Sequence, residues 1–190
     1  MQVTTTNGSE IVEGQLRECY GRVVYTHKTH EKCADLLLDR HKLIKLLQVI
    51  LSALVTGGIL ATLSEIWGTV ATVVSAILST ALLALNAYTK DYDLGEIAQK
   101  HRQASADIWL LREKYLNLLT DLRAGNASVE KVCNARDGLL SELHAVYAGA
   151  PSTNYKAYKK AQEALKSLED MTLSDKEIDA FLPKELKRTC

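Results

Sequence analysis

The sequence has little that breaks a helix and nothing that announces a reaction. Its 190 residues include only two prolines, Pro151 and Pro183, so no proline interrupts any helix before Pro151. The four cysteines, Cys19, Cys33, Cys133 and Cys190, form no close pair, which leaves neither a disulfide framework nor a paired zinc motif and reads as reduced packing residues. Basic and acidic side chains balance at 23 each, and the missing basic excess argues against direct nucleic-acid binding. There is no Gly-rich phosphate loop and no nucleophile set beside a base. His27, His30 and Cys33 recur every three residues, but one helix face supplies no fourth ligand and no turn to close a metal site. Glu113, Asp121, Glu130 and Asp137 stand singly among opposite charges, as on a solvated helix. Neither an enzyme nor a cofactor nor a metal is expected. Internal repeats and long Gly-, Ser- or Pro-rich linkers are missing as well.

Charge is also absent locally, and that absence organises the chain. Leu46–Ser64 and Ile66–Thr89 carry no charged residue, and as helices of 19 and 24 residues each reaches across a hydrocarbon core of roughly 30 Å. Between them lies a tight corner, Ser64-Glu65-Ile66-Trp67-Gly68. Two consecutive helices apolar on every face exceed the core that a soluble chain of this size builds, so lipid rather than protein is expected around them. Arg40, His41, Lys42 and Lys45 precede the hairpin, Lys90, Lys100 and Arg102 follow it, and the corner carries only Glu65. The positive-inside bias then places both termini in the cytoplasm of an inner-membrane, multi-pass protein. The first apolar run begins too late for a signal peptide and is read as an uncleaved anchor.

The expected fold is all-α, with a two-helix transmembrane hairpin and a cytoplasmic helical stalk or bundle. Residues 1–9 read as a disordered lead and 10–42 as a cytoplasmic helix with one packed stripe, Val12, Leu16, Cys19, Val23, His27, His30, Ala34, Leu37 and His41. The hairpin covers 43–89, as about 43–64 and 66–89. Stalk helices follow over 90–150. In the first, Leu94, Ile97, His101, Ala104, Ile108, Leu111, Tyr115, Leu118 and Leu122 alternate in steps of three and four, a heptad seam. That seam serves either the Val12–His41 stripe of the same chain or a second subunit, and a homo-oligomer is expected through it. Gly125 ends this helix and Asn126 is placed to cap the next. A C-terminal extension, 151–190, carries Tyr155, Tyr158, Ala161, Leu165 and Leu168 on one face, beside a basic ridge of Lys156, Lys159, Lys160 and Lys166, and then a capping box at Ser174–Glu177.

Polar residues within the hairpin fall on stripes. Thr72, Ser75, Ser79 and Asn86 share one face of the second span, and Gln48, Ser52 and Thr56 one face of the first. Thr72, Ser75, Ser79 and Asn86 are the candidate pore-lining residues, since polar groups at membrane depth must pair or meet water. Ala53, Gly57 and Ala61, with Gly68 and Ala76, recur at every fourth position and are candidates for membrane-helix packing. The stripes admit two readings, glue for the hairpin or the lining of a lumen.

Several segments resemble a known family. Cys19-Tyr20-Gly21-Arg22 with Tyr25, the hairpin, and Trp109-Leu110-Leu111-Arg112-Glu113-Lys114-Tyr115 together resemble the SLATT family of bacterial two-helix membrane proteins. The tail, with Ala161–Lys166 and Leu173–Pro183, looks like the extension of one subgroup. The resemblance implies an effector of an anti-phage defence system that perforates or depolarises the inner membrane, ending in cell death or growth arrest. It also implies a linked sensor, a nucleotidyltransferase or in some subgroups a reverse transcriptase, acting directly or through its nucleotide product. The competing reading is a membrane-anchored helical scaffold that recruits a partner protein without conducting ions.

Overall fold

A computed structural model describes residues 3–63, 68–167, 173–183 and 187. The corner 64–67 and Leu168 lie outside the described residues. Among the described residues six helices occur in chain order: α1 Val3–Ala61, α2 Gly68–Asp91, α3 Leu94–Ala124, α4 Val129–Gly149, α5 Tyr155–Lys166 and α6 Asp175–Phe181. The described residues include no strand. The fold is all-α, as the periodicity requires.

The 59-residue α1 runs unbroken from the polar N-terminal residues through the first apolar run. Residues 3–9, expected as a disordered lead, continue this helix, and no proline interrupts it. Every larger element packs on α1. Its apolar half faces α2, and its other half faces α3, α4 and α5. The partner of α1 changes from α2 to α3 at a short break over Tyr92 and Asp93, where Asp93 caps α3 by accepting from the Gly95 and Glu96 amides. The antiparallel pairing carries across this break: Gly58 meets Ser75, Gln48 meets Asn86, His30 meets His101 and His27 meets Ser105.

The core of the bundle is Leu16, Val23, Ile108, Leu111, Tyr115, Leu122, Val132 and Leu139, lined further by Val12, Cys19, Leu118 and Val129. The heptad seam is thus filled within one chain. Ala104, Ile108, Leu111, Tyr115 and Leu122 are buried, and Leu94, Ile97 and Leu118 are partly so, with Ala98 and Ser105 buried beside them. Within one chain these residues lie against the α1 stripe, the intrachain alternative.

The ends of the bundle helices follow local chemistry. Gly125 closes α3 in the left-handed conformation at φ 72°, donating to Leu122, while the Asn126 amide returns to the Asp121 carbonyl. Ser128, rather than the expected Asn126, caps α4, its hydroxyl accepting from the Lys131 amide. Helix α5 lays Ala157, Ala161 and Ala164 against α1 and leaves Tyr155 exposed. Of the expected face, Ala161 is buried and Tyr158 stacks on Tyr25 of α1 with ring centroids 6.1 Å apart, while Ala157 and Ala164 extend the contact beyond it. The capping box at Ser174 and Glu177 opens α6 as its sequence predicts.

Candidate functional site

In α2 the residues turned to α1 are Ala71, Ser75, Leu78, Leu82, Leu85 and Thr89, and in α1 they are Ile44, Gln48, Leu51, Val55, Gly58 and Thr62. Both sets step by three and four, a heptad contact. Gly58 is the close-approach point: a β-carbon there would collide with the Ser75 hydroxyl. Ser75 is buried in this contact, and its Oγ has no hydrogen-bond partner among the described residues. Gly57 has open space where a side chain would go, and Ala53, Ala61 and Ala76 are exposed. These four therefore do not pack the hairpin. The reason is angular: adjacent helical residues differ by about 100°, so when Gly58 faces α2 the Ala53–Gly57–Ala61 line points outward. Gly68 keeps a packing role at the end of α2, where an added β-carbon would stand 2.9 Å from the Thr62 carbonyl.

The polar stripe divides in the same way. Ser75 lies in the seam, while Thr72, Ser79 and Asn86 stand beside it, exposed along one flank of α2. Since α1 and α2 are antiparallel, the helical wheel brings Ser52 and Thr56 of α1 to that same flank. An open groove of about 640 Å³ marks it, lined by Lys45, Gln48, Val49, Ser52, Ala53, Thr56, Leu82 and Asn86. Gln48 Nε2 bridges the two helices, donating to Asn86 Oδ1 at 2.9 Å and to Thr89 Oγ1 at 3.1 Å. Thr56 and Thr72 return their hydroxyls to the carbonyls of Ser52 and Gly68, at 3.0 and 2.8 Å. Such back-bonding satisfies the hydroxyl proton and leaves oxygen lone pairs facing the groove.

The remaining faces of the hairpin are apolar and open. Leu54, Ile59, Val70, Ile77 and Leu83 are each more than half exposed. In water each would forgo about 1 kcal/mol or more of burial. Of the most apolar windows of the two helices, 0% and 6% is buried inside the chain, so neither is the core helix of a soluble bundle.

A second polar cluster lies outside the membrane segment. His30 Nδ1 and His101 Nδ1 are 2.9 Å apart, and His27 Nδ1 sits 2.9 Å from the Ser105 carbonyl. Burial, followed by the neighbouring His101 and His27, pushes His30 down to about 4, and burial lowers His101 too. No group of three or more His, Cys, Asp or Glu among the described residues is arranged to hold a metal. Cys33 is buried elsewhere on α1, where Asn154 Nδ2 approaches its sulfur at 3.8 Å and burial raises the thiol.

The chain thus has two helices long and apolar enough to cross a membrane, joined to a helical bundle at one end. The chain belongs to the SMODS and SLOG-associating 2TM effector domain family 4, SLATT_4, whose model matches residues 12–177. This match takes in the hairpin and the bundle helices and agrees with the resemblance read in the sequence. No curated protein and no solved structure matches the chain.

Proposed function

We propose that the chain is an inner-membrane effector of a bacterial defence system, which assembles into a homo-oligomer and opens a conducting path when a linked sensor fires. The observation that supports this most directly is the groove on one flank of an otherwise apolar hairpin, where Gln48, Ser52 and Thr56 meet Asn86, with Thr72 and Ser79 exposed further along α2. Polar side chains at this depth cost several kcal/mol when turned to lipid, roughly 1–3 kcal/mol each even with partial pairing. Several hairpins turning this flank inward would give the groups water, and in this reading the filled α1–α3 seam leaves the membrane flank as the subunit contact. The family description names association with SMODS and SLOG partners. The trigger in this reading is such a sensor protein or its nucleotide product, met by the cytoplasmic bundle.

Purified protein in liposomes tests the proposal by dye and ion leakage. Ser79→Leu and Asn86→Leu should each lower leakage without lowering insertion, whereas Val73→Leu and Ile77→Leu, on apolar faces, should leave it unchanged. Insertion with no leakage under any sensor product would favour the membrane-anchored scaffold instead.

A further inference from the structure

The groove that the hairpin turns to its polar flank has one charged lining residue, Lys45. It stands one residue before the uncharged run begins, at the cytoplasmic end of the groove in the proposed topology. Lys90 extends the α2 line of Thr72, Ser79 and Asn86 by one further helical turn, so a second lysine reaches the same end of the same flank. Neither lysine forms an ion pair among the described residues. Asp93 is an acid that senses the charge of Lys45. Its carboxyl lies below the ordinary range first because it accepts from the Glu96 amide, then from Gly95, with His41 and Lys45 adding their charge. Asp93 Oδ1 caps α3, at 2.8 and 3.0 Å from the two amides, and its charge stays at the start of α3, outside the groove lining. No carboxylate lines the groove itself.

We infer that the path conducts anions in preference to cations, and that Lys45, seconded by Lys90, selects them. This rests on the pore reading above. An assembly that turns each groove inward repeats Lys45 once per subunit around a shared mouth. A ring of cations within one Debye length, about 10 Å at 0.1 M salt, concentrates anions and repels cations at the entrance. The polar residues deeper in the groove carry no charge of either sign, so they pass what the mouth admits. Lysines placed only to anchor the hairpin against anionic headgroups would secure insertion and leave selectivity alone.

Planar bilayers holding the full chain under a KCl gradient separate these cases by reversal potential. The wild-type protein should favour chloride over potassium by about fivefold or more, Lys45→Gln should bring the ratio towards one, and Lys45→Glu should invert it. Lys90→Gln should lower the ratio by a smaller factor, and Lys100→Gln, on α3 beside Glu96, should not move it. A wild-type current that favours potassium, or conducting Lys45 variants with an unchanged reversal potential, overturns the inference while leaving the pore intact. Should Lys45→Glu fail to insert, Lys45→Gln and Lys90→Gln still decide the question. Absence of current from the wild-type protein with the sensor product present overturns the pore reading itself, and this inference with it.

Discussion

His30 of α1 and His101 of α3 meet across the buried seam with their Nδ1 atoms 2.9 Å apart and their ring centroids 5.0 Å apart. At that distance one nitrogen donates and the other accepts, so the pair is stable when both rings are neutral and in opposite tautomers. Around it stand His27 on the same helix and Ser105 on α3, while Glu31 lies 3.6 Å from His27 Nε2.

The pair makes stability depend on pH with a definite sign. The unfolded chain takes up a proton on His30 near 6.5, whereas the folded chain resists until about 4. Between those values the unfolded state binds more protons, so stability is full above pH 6.5 and is lost as pH falls towards 4. Detergent-solubilised protein should show a Tm that drops between pH 7 and pH 5, and His30→Gln, which keeps a hydrogen-bonding group but cannot titrate, should flatten that drop. An equal drop in the variant would assign the effect to other groups.

The two glycines of the first span should behave differently despite being neighbours. Gly58→Leu drives a side chain into Ser75 and should separate α1 from α2, while Gly57→Leu points into open space and should not. Cysteines at Gln48 and Asn86, whose side chains hydrogen-bond in the native hairpin, report the separation through short bismaleimide cross-linking. Yield should fall several-fold with Gly58→Leu alone.

In the bundle, Tyr115 and Ile108 are almost wholly buried, at 1% and 0% exposure. Tyr115→Ala and Ile108→Ala should each cost about 2–5 kcal/mol, whereas exposed Leu116→Ala should cost well under 1. Replacing Ile108 and Leu111 together by Asp puts two unpaired charges into an intrachain core. Limited proteolysis should then cut the bundle in monomer and oligomer alike, and resistance to cleavage would mean that the seam is not needed to hold the subunit together.

If the basic flanks of the hairpin hold both ends in the cytoplasm, as the positive-inside bias predicts, alkaline phosphatase fused after Cys190 should be inactive. Activity in that fusion would reverse the topology.

Much of the helical layout was readable because it depends on periodicity alone. The three-and-four spacing from Leu94 to Leu122 marks a buried stripe, and the uncharged runs mark two spans. Which surface covers the stripe is another matter: a second subunit and α1 offer the same apolar contact, so only the position of α1 decides. The glycine pair shows the same limit at finer scale. Gly57 and Gly58 are equally small, and the rotation of α1 about its axis, fixed by Ser75 and the Gln48–Asn86 hydrogen bond, determines which one the partner meets. Ser75 left the polar stripe for the same reason. The histidines of α1 and α3 were visible as members of two stripes, but their pairing depends on the antiparallel register between those helices. In α5 the spacing marked Ala161 and Tyr158, and the register against α1 added Ala157 and Ala164.

The unbroken course of α1 gives the molecule a mechanical property. One helix of 59 residues, about 90 Å long, is both the spine of the bundle and half of the hairpin, with no proline at the boundary to absorb a bend. A displacement at its outer end therefore behaves as the swing of a stiff lever: a tilt of about 5° over roughly 45 Å moves the far tip by about 4 Å, roughly three quarters of a helical turn. Force applied to the bundle reaches the spans as motion of the same rod.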